Sequence, residues 1–297
     1  MSHTPVLLDE VIKGLDVKSD DRILDCTVGN GGHASFLIRR LGPKGYYIGI
    51  DADSDALKEA EKQLEGNEVT YELYEGNYRN FERVLDDLGI GTVDKILIDM
   101  GVRMDQFESS GRGFSFKRDE PLVMTFKRDP EEGDLTAFEI VNEWEEASIR
   151  DIISGYGEER YARRIAEGIV KERALQPIES TFDLIEVIRT SVPAGYTRGR
   201  THFATKTFQA LRTTVNDEIE SLREGLHRGF QRLENGGRFA VISFHSIEDR
   251  IVKRFFREKS NHKEGRIISK KPITPREEEI RSNPASRSAK LRIIEKI

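Results

Sequence analysis

The sequence predicts an α/β fold: a parallel sheet covered by helices on both faces, interrupted by a helical insertion. Three observations predict it. Short apolar strands alternate with amphipathic helices through the first hundred residues. The alternation stops after Asp99, and only helical periodicity follows between about Leu135 and Ile188. Strand–helix alternation then resumes at Arg238, so the insertion interrupts one sheet domain rather than ending it.

The elements follow in order. Val6 to Leu15 has the spacing of a short amphipathic helix, and Arg22 to Cys26 that of a strand entering the loop Thr27-Val28-Gly29-Asn30-Gly31-Gly32. Ala34 to Leu41 reads as a helix stopped by Gly42-Pro43. Tyr46 to Ile50 is a second strand ending at Asp51, and Ser54 is placed to cap a helix reaching about Leu64. Val69 to Tyr74 and Val93 to Ile98 are strands on either side of a helix over Phe81 to Leu88. Gly101 to Arg128 is irregular. One long helix is predicted from Phe208 to Leu233, ended by Asn235-Gly236-Gly237. An apolar strand over Arg238 to Phe244, a helix over Ile247 to Arg257 and two short strands near Ile267 and Leu291 complete the chain. The expected division is a sheet domain of residues 1–103 and 206–297 and an inserted, mostly helical substrate-recognition domain of residues 104–205.

Of 297 residues, 37% are hydrophobic and 34% charged, enough for a full core without disulfides. The net charge of −6 argues against a simple nucleic-acid coat, yet it conceals a split. From Arg250 onward there are 15 Lys and Arg against 6 Asp and Glu, a balance of +9 against −15 for the rest. That asymmetry points to a polyanion contact or to a solvated charged face. The single cysteine, Cys26, excludes an internal disulfide and a cysteine zinc site, and suits a reducing cytoplasm. No apolar run approaches the roughly 20 residues of a membrane span, so no membrane partner is expected.

The strongest local signal is Asp25-Cys26-Thr27-Val28-Gly29-Asn30-Gly31-Gly32-His33, a strand, a glycine-rich loop and a helix start. Glycines let the backbone turn sharply and let a ligand approach it, and the helix start offers free N–H groups. The loop is neither Gly-x-Gly-x-x-Gly nor a P-loop. Asp51 ends the second strand, where a carboxylate can accept both hydroxyls of a ribose. The pair fits S-adenosylmethionine or NAD; turn glycines and a helix-capping acid are the plainer explanation of each element alone. Asp99 ends the fourth strand on the same sheet edge, so three strand-end carboxylates converge there.

Seven segments in order give a resemblance. They are His3 to Glu10, Thr27 to His33, Arg112 to Phe116, Tyr156 to Arg160, Thr207 to Arg212, Ser243 to Arg250 and Asn283 to Arg292. Together they resemble the bacterial ribosomal RNA small subunit methyltransferase H family, formerly called MraW. The resemblance implies a class I, Rossmann-like S-adenosylmethionine-dependent methyltransferase sheet with an inserted helical domain. It implies N4 methylation of a cytidine in the decoding centre of 16S rRNA within the small ribosomal subunit. It also implies cofactor contacts at Gly31, Gly32, His33, Asp51, Tyr78, Asp99 and Gln106. Asp51 would hold the ribose, Tyr78 the adenine face, and Asp99 and Gln106 the sulfonium and amino-acid end. No metal is implied, and the oligomeric state is left open, with a homodimer as one option.

Two segments depart from the family pattern. Met100-Gly101-Val102-Arg103-Met104-Asp105-Gln106 stands where Leu-Gly-Val-Ser-Ser-Pro-Gln is usual, and Val123 replaces an acid. Both fall toward the acceptor side. Asp99 is the candidate group for orienting the acceptor amine. His245 is a candidate catalytic or RNA-contacting residue, or simply a helix-start histidine. Candidate RNA contacts are Arg112, Lys117 and Arg118 around Phe114 and Phe116, and Arg250, Lys253, Arg254 and Arg257. A binding-only assembly factor retaining the fold, and a methyltransferase for DNA or another acceptor, are the competing readings.

Overall fold

The computed structural model describes residues 5–101, 110–128, 130–199 and 201–297. The chain divides into two compact units, Met1–Gly101 with Ile219–Ile297 and Val102–Glu218. Each is described by itself.

The first unit is a seven-stranded sheet in the order β3-β2-β1-β4-β5-β7-β6. Its strands are β1 (Arg22–Asp25), β2 (Tyr46–Asp51), β3 (Thr70–Glu75), β4 (Val93–Asp99), β5 (Leu233–Ser243), β6 (Gly265–Ile267) and β7 (Lys290–Lys296). The pairs among β1 to β5 are all parallel, and β7 runs antiparallel to β5 and β6. The chain winds from β1 outward to β3, then returns to place β4 on the other side of β1. The crevice at that reversal, beyond the carboxyl ends of β1 and β4, is where such sheets take ligands. The fold is Rossmann-like, as the sequence predicts.

Helix α1 (Leu8–Leu15) precedes β1, and α2 (Gly32–Ile38), α3 (Ser54–Leu64) and α4 (Phe81–Asp87) connect the first four strands. One apolar cluster joins Val11, Leu15, Ile23, Leu37, Tyr47, Leu97, Ile242 and Ile293, so residues from both ends of the chain share one core. Asp53, rather than Ser54, caps α3, accepting the Asp55 N–H at 3.0 Å.

The second unit is helical: α5 (Ala137–Glu143), α6 (Glu146–Gly157), α7 (Ala162–Arg173), α8 (Thr181–Ser191) and α9 (Thr205–Val215). Ile140, Ile149, Ile153, Ile165, Ile169, Leu184, Ile188 and Leu211 form its core. Thr136 with Glu139 and Ser180 with Asp183 form capping boxes that start α5 and α8.

The single long helix predicted over Phe208 to Leu233 is two helices, α9 and α10 (Glu218–Arg232). The break is made by tertiary contacts. Asn216 accepts the Phe126 N–H at 2.7 Å and donates to the Met124 carbonyl at 2.8 Å. Asp217 takes a left-handed φ of 47°, and Arg212 forms a two-pronged ion pair with Glu218 at 2.7 and 2.9 Å. The compact second unit therefore includes α9 and ends at Glu218. Asn235-Gly236-Gly237 does not end the helix; it lies inside β5, where the register against β4 shifts between Val93 and Lys95. Among the described residues no helix is long and apolar enough to cross a membrane.

Candidate active site

The site begins with how β1 ends. Asp25 is fully buried; it accepts the Tyr47 hydroxyl at 2.7 Å and the Thr27 N–H at 3.1 Å. Burial pushes the Asp25 carboxyl up to about 6, against the pull of those two donors and of His33. Burial, with Asp25 alongside, also raises the Tyr47 phenol well above its usual value. Thr27 then bridges two strand ends, because its hydroxyl accepts the Asp99 N–H at 2.7 Å.

The loop turns on Gly29 and Gly31, whose φ values of 53° and 85° lie in the left-handed region. Gly31 also passes Ala60 so closely that a methyl group there would sit 3.1 Å from its Cα. Asp51 fixes the loop from the neighbouring strand, accepting the Gly29 N–H at 2.8 Å and the Asp53 N–H at 2.9 Å. The carboxylate remains partly exposed.

His33 opens α2 and is buried, with Nε2 3.5 Å from Oδ2 of Asp99. The alignment is wrong for a hydrogen bond, so both imidazole nitrogens are buried without a partner. Asp99 spends Oδ1 on the Gly101 N–H at 3.0 Å. Tyr78, in a short turn after β3, lies half-buried with its hydroxyl 3.6 Å from the Met100 sulfur. These contacts link Asp99, His33 and Thr27 at the carboxyl ends of β1 and β4, and Asp51 to the same loop. Gln106, Arg103, Met104 and Asp105 lie outside the described residues.

These features suit an adenosyl ligand carrying an amino acid. A tight glycine turn, a partly exposed carboxylate and an imidazole with open nitrogens are the donors and acceptors that such a group uses. Among the described residues no three His, Cys, Asp or Glu side chains are grouped to hold a metal ion.

At the end of β5, His245 is the N-cap of α11 (Ser246–Asn261). Its Nδ1 accepts the Glu248 N–H at 3.4 Å, while buried Glu248 accepts the Phe244 and His245 N–H groups at 2.7 and 3.2 Å. His245 Nε2 lies 2.9 Å from Glu248 Oε1, out of line for a hydrogen bond, which leaves both atoms without one. The capping role is therefore present, and one ring nitrogen is left over.

Arg250, Lys253, Arg254 and Arg257 are all exposed on α11, at the spacing of one helix face. Ile247, Ile251, Val252, Phe255 and Phe256 bury the opposite face. Elsewhere in the basic C-terminal stretch the charges are partly engaged. Arg292 and Lys290 hold Asp249, Arg266 holds Glu295, and Lys259 holds Glu264. In the helical unit Lys117 and Arg118 are exposed. Arg112 is not: it is 7% exposed and its guanidinium donates to the carbonyls of Thr125, Phe126 and Lys127 at 2.8–3.3 Å. It binds its own loop and is removed from the phosphate-contacting set.

The whole chain, residues 1–297, matches the model of the MraW methylase family. The chain belongs to the MraW methylase family. Its relatives include proteins named ribosomal RNA small subunit methyltransferase H. The one from Persephonella marina is 44% identical over 297 residues, covering all of both chains. That from Heliobacterium modesticaldum is 44% identical over 313 residues, covering 99% of this chain and 98% of its own. That from Clostridium botulinum is 40% identical over 310 residues, covering 99% of each. The family thus accounts for both units, including the insertion.

Proposed function

We propose that this MraW-family methylase transfers the methyl group of S-adenosylmethionine to N4 of a cytidine in the decoding centre of 16S rRNA. The observation that carries the reading is the family match across the full length, joined to a glycine-turned, carboxylate-lined crevice at the switch point of the sheet. When bound, S-adenosylmethionine supplies an electrophilic methyl carbon on a sulfonium, with a neutral thioether as leaving group.

The chain's own residues hold and orient. Gly31, Gly32 and His33 offer backbone and imidazole contacts to the amino-acid end. Asp51 takes the ribose hydroxyls on its remaining lone pairs, and Tyr78 covers the adenine. Asp99 is the orienting group. Its Oδ2 receives no hydrogen bond from any described residue and can accept the acceptor amine N–H. That contact aligns the nitrogen for in-line attack and stabilises the positive charge that grows on it. With the cofactor bound, the sulfur would leave as a neutral thioether as the methyl passes to nitrogen, and Asp99 or solvent would take the surplus amine proton. The exposed face of α11, with Lys117 and Arg118, takes phosphates, and the target base leaves its stack to reach the site. The protein acts in the cytoplasm, where the buried Cys26 thiol, pushed up by burial, stays protonated.

One experiment tests the reading. The protein is incubated with methyl-labelled cofactor and undermethylated small subunits, and the rRNA is digested to nucleosides. Label in N4-methylcytidine is the expected result. Binding without transfer would mark an assembly factor, and label confined to DNA or a small acceptor would mark a different methyltransferase.

A further inference from the structure

The segment Tyr156 to Arg160 carries part of the family resemblance, yet the reading above gives it no task. In the helical unit it makes the corner between α6 and α7. Glu158 takes a left-handed φ of 48°, and its carbonyl accepts a hydrogen bond from Lys206 Nζ at 2.7 Å. Glu159 is buried, and both of its carboxylate oxygens are used. Oε1 accepts the Tyr161 N–H at 2.9 Å and Oε2 the Tyr196 hydroxyl at 2.5 Å. Those two bonds hold together rings that are 35 residues apart in the chain, with centroids 5.0 Å apart and 71° between planes.

Arg160 sits in the angle that the two rings make. Its guanidinium carbon lies 4.7 Å from the Tyr161 centroid and 4.9 Å from that of Tyr196. Rings fix the position of a guanidinium but give its N–H groups no oxygen. Arg160 is exposed, and no described residue supplies that oxygen through a hydrogen bond or an ion pair. In this it differs from Arg112 of the same unit, whose donors are taken up by its own loop. Arg164 lies 5.9 Å from the Tyr161 centroid, and Arg198 follows Tyr196 by two residues. Both are exposed, and neither has an ion-pair partner among the described residues. Glu167, an acid on the same helix, is paired with Arg163 at 2.8 Å. A planar fork held in place with its donors unused matches a pair of phosphate oxygens. Further cations without partners beside it suit a chain of phosphates better than a single one.

We propose that Arg160, clamped by Tyr161 and Tyr196, is a phosphate fork for the RNA substrate, with Arg164 and Arg198 on neighbouring phosphates. The proposal rests on the rRNA reading above and extends it to residues that reading does not use. The rings supply position, and the buried Glu159 supplies the position of the rings.

The test uses the full chain and 16S rRNA stripped of protein. Arg160→Met should weaken binding about tenfold and lower the slope of log K against log salt by about one. Arg160→Lys keeps the charge and loses the fork, so it should keep the wild-type slope and bind less tightly than wild type. Arg164→Gln with Arg198→Gln should lower the slope by about two at an unchanged thermal midpoint. S-adenosylmethionine affinity should stay the same in every variant. Should Arg160→Met lower the thermal midpoint, Arg160→Lys and the double variant decide. A wild-type slope in a folded variant that has lost charge would overturn the proposal, and so would wild-type affinity in Arg160→Lys. Weaker binding to intact subunits with unchanged binding to naked rRNA would also overturn it, by marking a protein contact. If the wild type methylates rRNA while the variants bind it as wild type does, only the fork fails. If the wild type neither binds nor methylates rRNA, the functional reading fails with it.

Discussion

The ring of Tyr78 occupies the space where a side chain at position 225 would begin. A methyl group on Gly225 of α10 would fall 2.8 Å from Tyr78 Cε2 and 3.1 Å from Cδ2. The turn that carries Tyr78 is tied to the same helix on both sides. Asn77 donates to the Ser221 hydroxyl at 3.1 Å, and Arg228 donates to the Arg79 carbonyl at 2.8 Å. A glycine inside a helix costs about 1 kcal/mol relative to alanine, and here the missing Cβ is what seats the ring. Gly225→Ala should therefore keep or raise the thermal midpoint while weakening S-adenosylmethionine binding in calorimetry. Unchanged affinity would detach Tyr78 from the cofactor.

Asp51→Ala should weaken the cofactor at least about tenfold, the usual worth of hydrogen bonds to a charged acceptor. The effect includes its ties to Gly29 and Asp53, so the ribose contact is isolated by a cycle. A cofactor analogue without the ribose hydroxyls should lose clearly less affinity on the substitution than the cofactor itself, the remainder being the cost of the loop ties. Additive effects would reject the contact.

Asp25 sets a pH dependence whose sign follows from its raised carboxyl. The folded value is about 6 against an ordinary value of 3.8, so the folded state holds the proton more tightly. Stability is then greatest below the lower value and falls as pH rises through the window to about 6, by about 3 kcal/mol in all. Asp25→Asn keeps partners for Thr27 and Tyr47 and should flatten the urea-midpoint profile across that window. A profile as steep as wild type would assign the dependence to other groups.

The α11 face is read by salt. Replacing Arg250, Lys253, Arg254 and Arg257 with alanine should weaken RNA binding. It should also lower the slope of log K against log salt by about one for each phosphate no longer neutralised. The apolar face of the helix is untouched, so folding should persist. A wild-type slope would exclude this face.

Arg112 should behave in the opposite manner. Arg112→Met leaves the carbonyls of Thr125, Phe126 and Lys127 without their donor. It should cost about 2–3 kcal/mol of stability and leave the salt slope of RNA binding unchanged. A reduced slope at wild-type stability would return Arg112 to the RNA surface.

The β-α alternation, the glycine loop and the strand-end carboxylates were legible because each rests on short-range rules: strand periodicity, turn chemistry and capping. What was not legible came from distant partners. Thr213-Thr214-Val215-Asn216-Asp217 offers only a weak break signal, β-branched residues before Asn and Asp, and the break is fixed by Met124 and Phe126, which claim the Asn216 carboxamide. Arg112 reads as a surface cation beside two aromatics until its three carbonyl acceptors are known. The +9 C-terminal balance was real, but ion pairing across β7 and α11 engages part of it, and what stays exposed is spread over the α11 face and over Lys263, Lys270, Lys271 and Arg287. Gly225 carried no signal at all, because its meaning lies in a tyrosine on the far side of the sequence.

The sheet order also governs how the chain comes off the ribosome. Asp99 at the end of β4 pairs with Ile242 of β5, so that half of the sheet stays open until the whole helical unit has been made. That unit is contiguous and built on neighbouring helices, which favours early, local folding. The ends of β1 and β4 that form the crevice are made early, while the other edge of β4 waits for β5. A truncated or stalled chain keeps an unpaired β4 edge, open to pairing with another chain.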